Sequence, residues 1–340
     1  MRNYKCLSIQ TFQNSDFHIE PIREEDKYAI LKIRNEQIFH LRQPKPLTVV
    51  DQENYFSNVV AKLFEQDYPN QLLFSFFYKK EFVGYGGLVH INWIDKNAEI
   101  SFIMKTELEK DYFSIFWINY LHLIEKVAFN ELRLHKIFTY AFDLRPHLYT
   151  ALEQAKFKEE ARLKEHCLFN GNYYDVVFHS KINDTIYFRK ATDLDVDQYF
   201  EWANDELVRN FSYQTATISY ESHVNWFTSK LNDSNCYLFI FENDIKQNIG
   251  QIRIQKNNNQ AVIGISIDKN HRGKNYAYKM IKLASENFLI ENPDCPIEAY
   301  IKTNNKSSVA AFEKAGYSFK EKLMYQNIES YLYTLSNENK

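Results

Sequence analysis

The sequence predicts an α/β protein built from two tandem copies of one fold, each copy a mixed, mostly antiparallel sheet flanked by helices. Three observations carry this expectation. Three consecutive stretches with strand-like composition precede a helical stretch and then one more strand, and this order occurs twice. Short blocks match between the halves in the same order, with an offset that shrinks slowly along the chain, as two diverged copies with loop indels give. A chain of 340 residues is also long enough for two domains that each bury a core.

Taken in order, residues 1–16 read as an extension with one short strand around Tyr4–Ile9. The first copy opens with a strand at His18–Ile22, an acidic turn at Arg23–Asp26 and a helix through Ile30, Ile33 and Asn35. Strands are expected at 73–78, 82–92 and 98–104, a helix at 113–130 and a strand at 135–142. The order returns from Tyr187: Phe188-Arg189-Lys190-Ala191, the turn Thr192–Asp195, and a helix to Trp202 and Asn204. Strands at 236–242, 248–256 and 260–267, a helix at 275–291 and a strand at 296–302 complete the second copy. Ala98–Phe102 parallels Ala261–Ile265, and Leu152–Phe157 parallels Phe312–Tyr317. A polar stretch after an apolar strand, Ile182-Asn183-Asp184, sets the boundary, giving domains 1–182 and 183–340.

Composition removes several classes. A net charge of -3 gives no reason to expect nucleic acid or an anionic membrane as partner. Cys6, Cys167, Cys236 and Cys295 are scattered, without a Cys-x-x-Cys pair or paired histidines, so reduced thiols and no metal site are expected. No apolar run approaches the roughly 20 residues of a membrane span, and no leader is visible, so a cytoplasmic location is expected.

The chemistry-bearing stretch runs from Ile265 to Ala277. A strand (Ile265, Ser266, Ile267) meets a basic turn and then a helix with apolar spacing through Met280, Ile281 and Ala284. A helix start wrapped by small and basic residues offers free backbone N–H groups and a positive dipole end to an anion. Arg272, Gly273, Lys274, Asn275, Tyr276 and Ala277 therefore read as a phosphate cradle, without the glycines of a dinucleotide turn or the Gly-Lys-Ser/Thr of a Walker loop. The turn resembles the pyrophosphate loop of the GNAT N-acetyltransferases, Gln/Arg-x-x-Gly-x-Gly/Ala, with Asn275 in place of the inner glycine; Asn tolerates left-handed angles. Downstream, Ile301–Tyr317 resembles the family's Asn-x-x-Ser module through Asn305, Ser308 and Gly316 with its following aromatic. The resemblance covers nearly the whole chain twice, implies the GNAT fold for each copy, and makes acetyl-CoA the expected cofactor.

What the resemblance implies for catalysis is incomplete. Asn305 meets the pantetheine arm, and the helix from Ser308 lies beside the coenzyme. Phe312 stands where many relatives place a tyrosine acid, so proton donation to the thiolate falls to Tyr278, Tyr300 or water. Backbone N–H groups of Ile265–Ile267 would polarise the thioester carbonyl. Val262 and Tyr300 occupy positions where relatives often have Glu, and Glu298, on the Tyr300 face of its strand, is the candidate base.

Substrate choice rests on Trp202–Tyr213 and Ser219–Phe227, which resemble the Trp-x-Asn…Val-Arg-x-x-Ser…His-x-x-Trp-Phe pattern of amino-sugar N-acetyltransferases. Asn204, Arg209, Tyr213, His223 and Trp226 are the candidate contacts, Arg209 and His223 for a diphosphate and the aromatics for a base. The expected partner is thus a small molecule, an amino-sugar nucleotide, with a homodimer allowed for. A peptide N-acetyltransferase of the ribosomal-protein type and a non-catalytic CoA- or sugar-binding module are the alternatives. In the first copy, Leu108–Phe113 falls where the cradle should be and carries Glu109 and Asp111 instead of arginine and glycine, so coenzyme binding is not expected there. The first copy thus reads as a second active domain with a divergent loop, a sugar-nucleotide binding module or a packing partner, the last favoured, with its many aromatics, Phe74, Phe76, Phe116 and Trp117 among them, burying a face between the copies.

Overall fold

The computed structural model describes residues 2–41 and 43–337. The chain divides into two compact units, Met1–Thr185 and Ile186–Lys340. The division falls three residues after the expected one because Asn183 is held by the first unit: its backbone N–H donates to the His135 carbonyl and its Nδ2 to the Leu134 carbonyl.

The first unit contains strands β1 (Phe12–Asn14), β2 (Phe17–Pro21), β3 (Leu72–Tyr78), β4 (Glu81–Asn92), β5 (Asn97–Met104), β6 (Lys136–Phe142), β7 (Lys158–Phe169) and β8 (Asn172–Ile182). They form one sheet in the order β1-β2-β3-β4-β5-β6-β8-β7, antiparallel except for the parallel pair β5–β6. Its helices are α1 (Lys27–Glu36), α2 (Val49–Tyr55), α3 (Ala61–Leu63), α4 (Thr106–Glu125) and α5 (His147–Gln154). The segment Tyr4–Ile9 is not a strand. Tyr4 is buried, and its hydroxyl closes a loop by donating to the Leu73 carbonyl and accepting from the Leu73 N–H, so a side chain does the pairing that a strand would have done.

The second unit has β9 (Tyr187–Lys190), β10 (Cys236–Glu242), β11 (Asn248–Asn257), β12 (Gln260–Ile267), β13 (Ile297–Lys302), β14 (Ser318–Tyr325) and β15 (Ile328–Leu335), ordered β14-β15-β13-β12-β11-β10-β9. Its helices are α6 (Val196–Ala203), α7 (Glu206–Phe211), α8 (Tyr220–Leu231), α9 (Tyr276–Glu291) and α10 (Lys306–Lys314). Alternation along β12 and β13 sends Ala261, Ile263, Ile297, Ala299 and Ile301 into a core with Met280, Ile281 and Phe288 of α9 and Phe312 of α10. The opposite face carries a smaller core of Tyr199, Trp202, Phe227, Leu238 and Ile240 under α6 and α8. The sheet is thus covered on both faces, and its single parallel pair, β12–β13, lies in the middle.

The aromatics of the first copy are not an exposed face. Phe74, Phe76, Phe113, Phe116 and Trp117 are buried in that unit's own core, where Phe76 meets Phe102, Phe116 and Tyr120 at ring distances of 5.4, 5.9 and 5.5 Å. Area burial of that size, at about 25 cal/mol per Å², stabilises the unit itself.

Candidate active site

The functional cleft of the second unit comes from a defect in its sheet. β12 pairs with β13 in parallel only at Ala261–Ile297 and Val262–Glu298, and beyond that the strands diverge. From Ile263 to Ile267, β12 stays paired to β11 on one side, leaving backbone donors and acceptors on the other facing an open wedge. A cavity of about 1110 Å³ fills the wedge, lined by Ile263–Ile267 of β12, Tyr300 and Lys302 of β13 and the starts of α9 and α10.

At the mouth of the wedge, residues 268–275 join β12 to α9. Gly273 has φ +76° and Asn275 φ +59°, two left-handed turns that aim the chain into the helix. Asn275 can hold this angle because its short polar side chain lowers the left-handed penalty. The Asn275 side chain makes no cap bond to α9, and the start of the helix faces the cleft, where Arg272, Gly273, Asn275, Tyr276 and Ala277 contribute lining. Arg272 is anchored: its guanidinium donates to Asp205 at 2.6 Å and to the Ile267 carbonyl at 3.2 Å. Burial raises the Asp205 pKa, but hydrogen bonds from Arg272 and the Val208 N–H outweigh it and hold the carboxyl below its usual range. Lys274 is exposed and outside the lining.

Asn305 caps α10 by accepting from the Ser308 N–H at 3.2 Å, and both residues also line the cleft. Phe312 reaches the lining from the core, 3% exposed and edge-on to Tyr317 at 5.0 Å. Tyr300 lies in the cleft, stacks on Tyr325 at 3.9 Å and donates its hydroxyl to Glu298 at 2.8 Å. Burial, and then this carboxylate, raise the Tyr300 pKa. Glu298 itself is 6% exposed, does not line the cleft, and is approached by Lys320 at 3.6 Å. Its carboxylate is taken up by the Tyr300 hydroxyl and Lys320 instead of reaching the cavity.

The candidate acceptor residues divide. Arg209, Tyr213, His223 and Trp226 all line the cleft, but only Tyr213 and Trp226 are not committed elsewhere through buried polar groups. Tyr213 hydrogen-bonds Ser330 at 2.9 Å and stands edge-on to Tyr325 at 4.8 Å, so Tyr213, Tyr325 and Tyr300 form a continuous aromatic wall. Asn204 lies outside the lining and pins the loop before α8, donating to and accepting from the Ile218 backbone. Arg209 is spent on the same loop, donating to the carbonyls of Gln214 and Ala216 and to Ser212. His223 is 1% exposed, bonded to the Val196 carbonyl and packed between Phe200 and Phe227; burial lowers its pKa, so it is neutral and no partner for a diphosphate.

Sequence reading missed Arg253 and Gln251. Both lie on β11, on either side of buried Ile252, and line the cleft near Trp226. The alternation Gln251-Ile-Arg253-Ile-Gln255 was the available signal, three polar residues on one face of a central strand. Among the described residues no Asp or Glu lines the cleft, while Arg209, Arg253, Arg272, Lys302 and Lys314 do.

The first unit keeps the wedge and loses the cradle. β5 and β6 pair at Asn97, Ala98 and Glu99 and then diverge, but only Lys105 separates β5 from α4. Leu108–Phe113 is not a loop; it lies inside α4, whose acidic first turn (Glu107, Glu109) suits a helix start. Arg145 pairs with Glu109 at 3.2 Å and lies over the Phe113 ring at 5.5 Å, filling the place of the cradle. The remaining cavity is about 370 Å³. His40 in its wall is pushed down to about 3 by burial and then by Arg145.

Among the described residues no group of three or more His, Cys, Asp or Glu is placed to hold a metal, and no helix is long and apolar enough to cross a membrane. The four cysteines are free.

Comparison with known proteins gives the same partition. Residues 19–178 and residues 185–318 each match a family described as Acetyltransferase (GNAT) domain. Spermidine N(1)-acetyltransferase of Vibrio cholerae serotype O1 is 32% identical over 98 residues, 29% of this chain and 55% of that protein, so the chain spans about half the length of this curated relative. Among solved structures, spermidine N-acetyltransferase from Vibrio cholerae with CoA and spermine is 21% identical over 50% of this chain and 97% of its own, at a TM-score of 0.43. A ribosomal L7/L12 alpha-N-protein acetyltransferase in complex with coenzyme A is 15% identical over 52% of this chain and 99% of its own, at 0.44.

Proposed function

We propose, from the premise that this chain belongs in both halves to the GNAT acetyltransferase family, that its second unit transfers the acetyl group of acetyl-CoA to a primary amine. The observation that carries this is the joining of an open strand wedge to an uncapped helix start. The turn at Gly273–Asn275 and the positive end of α9 face a pyrophosphate, Asn305 and Ser308 stand beside the wedge that takes the pantetheine arm, and the backbone of Ile265–Ile267 faces the thioester. When bound, acetyl-CoA supplies the activated acyl group; the protein orients it, excludes water and stabilises the developing oxyanion with backbone donors. Phe312 donates no proton; Tyr278 and Tyr300 both line the cleft with hydroxyls that could, that of Tyr300 already donating to Glu298.

The acceptor we favour is a nucleotide-linked amino sugar. Spermidine, named for the Vibrio relative, is a polycation, and a cleft lined by arginine and lysine without a carboxylate repels it. The Tyr213–Tyr325–Tyr300 wall offers a stacking surface for a base. The test is thiol release from acetyl-CoA with nucleotide-linked amino sugars, spermidine and amino-terminal peptides. Turnover confined to the sugars supports the reading, and turnover with spermidine alone overturns it.

A further inference from the structure

Arg253 is a cation with nothing to hold. Its guanidinium lies on the central strand β11, 5.6 Å from the centre of the Trp226 ring. Its Nε is buried without a hydrogen-bond partner, and among the described residues no carboxylate stands within ion-pair distance. Opposite it on β12 is Gly264, where an added Cβ would meet only Arg253 Nη2, at 4.0 Å, so the strand gives the guanidinium clear space. Arg272 is engaged by Asp205, and Arg209 donates through both Nη atoms to loop carbonyls and Ser212, although its Nε, like that of Arg253, is buried without a partner. Leaving a desolvated donor unsatisfied costs about 1–3 kcal/mol, more for a charged group. A fold retains such a group where a ligand completes it.

We infer that Arg253, held flat against Trp226, is the anchor for an oxyanion of the acceptor, a carboxylate or a phosphate that its planar fork receives in two parallel hydrogen bonds. The inference rests on the acetyl-transfer reading of the same cleft. Three features define the ligand chemistry. The fork matches planar or tetrahedral oxyanions and has no use for an ammonium. The cation lies beside Gly264, inside the stretch where β12 faces the wedge, so the anion it binds belongs to the acceptor near the reacting amine and not to the coenzyme phosphates at the start of α9. Gln251, two residues along the same face and bonded through its Nε2 to Ser266, offers a carbonyl oxygen that is buried and unpartnered, ready to accept from a hydroxyl or amine of that acceptor. Arg253 is a specificity residue: it touches the acceptor and takes no part in the acyl transfer.

The experiment titrates the CoA-saturated full-length chain by calorimetry with glucosamine, glucosamine 6-phosphate and muramic acid, for the natural protein, Arg253→Gln and Arg253→Lys. The expected result is that one or both anionic sugars bind at least about tenfold tighter than glucosamine. A charged, bidentate contact is worth about 10- to 100-fold, so Arg253→Gln removes the preference and Arg253→Lys keeps a fraction of it. The phosphate and carboxylate arms separate the two sources of the anion. CoA affinity stays as it was, and the melting temperature moves only by what the Trp226 ring contact contributes, because the guanidinium has no hydrogen-bond partner in the protein to lose. Equal binding of all three sugars, or a loss of CoA affinity in Arg253→Gln equal to the loss of sugar affinity, overturns the inference. Thiol release separates the two readings. Anion preference without thiol release with any amine refutes acetyl transfer and leaves the anchor standing; thiol release indifferent to charge does the reverse.

Discussion

Reversing the charge at Arg272 strikes two contacts at once. Arg272→Glu removes the ion pair with Asp205 and places a second carboxylate against it, where donor and acceptor now sit 2.6 Å apart. The side chains are 30% and 19% exposed, so neither the water nor the interior limit applies. The lost pair accounts for about 0.2–1 kcal/mol. Two like charges about 4 Å apart cost between about 1 kcal/mol at the dielectric of water and about 4 at that of a protein surface, and partial exposure puts this pair near 2. The loop can relieve the clash only by leaving the position in which Gly273 and Asn275 present α9 to the pyrophosphate. Binding CoA must restore that position, so affinity falls by about 3 kcal/mol, on the order of 100-fold. Calorimetry with CoA measures it. Asp205→Asn in the Arg272→Glu background keeps the α7 cap, removes the clash and returns at least about tenfold of the affinity. Unchanged affinity in Arg272→Glu, or no recovery in the double variant, refutes the argument that the pair positions the cradle.

Three further outcomes follow from the geometry. Asn275→Gly leaves CoA affinity and melting temperature nearly unchanged, whereas Asn275→Val at φ +59° costs about 1–2 kcal/mol and lowers both; thermal melts with and without CoA decide it. Phe312→Tyr retains or raises turnover, because the ring already lines the cleft, while Phe312→Ala removes a 3% exposed core ring and costs about 3–5 kcal/mol by denaturant unfolding; a large loss of turnover in Phe312→Tyr at normal CoA affinity would show a specific role for the bare ring. Full-length protein binds one equivalent of CoA per chain, and a second equivalent that survives Arg272→Glu would place a coenzyme in the first unit despite the absent cradle.

The architecture was readable because its signals are local. Alternation along 236–242 and 260–267 and the apolar spacing of α9 give the elements, and the repeated order gives the second copy. The candidate loop was readable for the same reason, since Arg272 to Ala277 is one continuous stretch. What escaped was pairing across the sheet. Whether Glu298 faces the wedge depends on where β12 and β13 part, and no single strand carries that information. Arg209, Asn204 and His223 share a pattern with acceptor contacts, yet their side chains are consumed by the Gln214–Ile218 loop and the Val196 carbonyl. Arg253 carries no motif in its own strand, and the Trp226 ring that it meets comes from a helix 27 residues earlier, since 253 minus 226 is 27. In the first copy, counting residues set Leu108–Phe113 against the cradle, but the absence of any linker between Met104 and Thr106 beyond Lys105 carries the helix through them.

The two strand-to-helix joints make coenzyme competence a matter of punctuation. Both units have the same parting strands and the same helix behind them, and the cradle lies outside every rung of the sheet. Lengthening such a joint by a handful of residues costs on the order of 1 kcal/mol in loop closure, small against what the sheet and core supply. One short insertion or deletion can therefore switch a unit between nucleotide-binding and nucleotide-indifferent without disturbing its scaffold. In a tandem chain, one unit of each kind would free one cavity to diverge while the other kept the reaction.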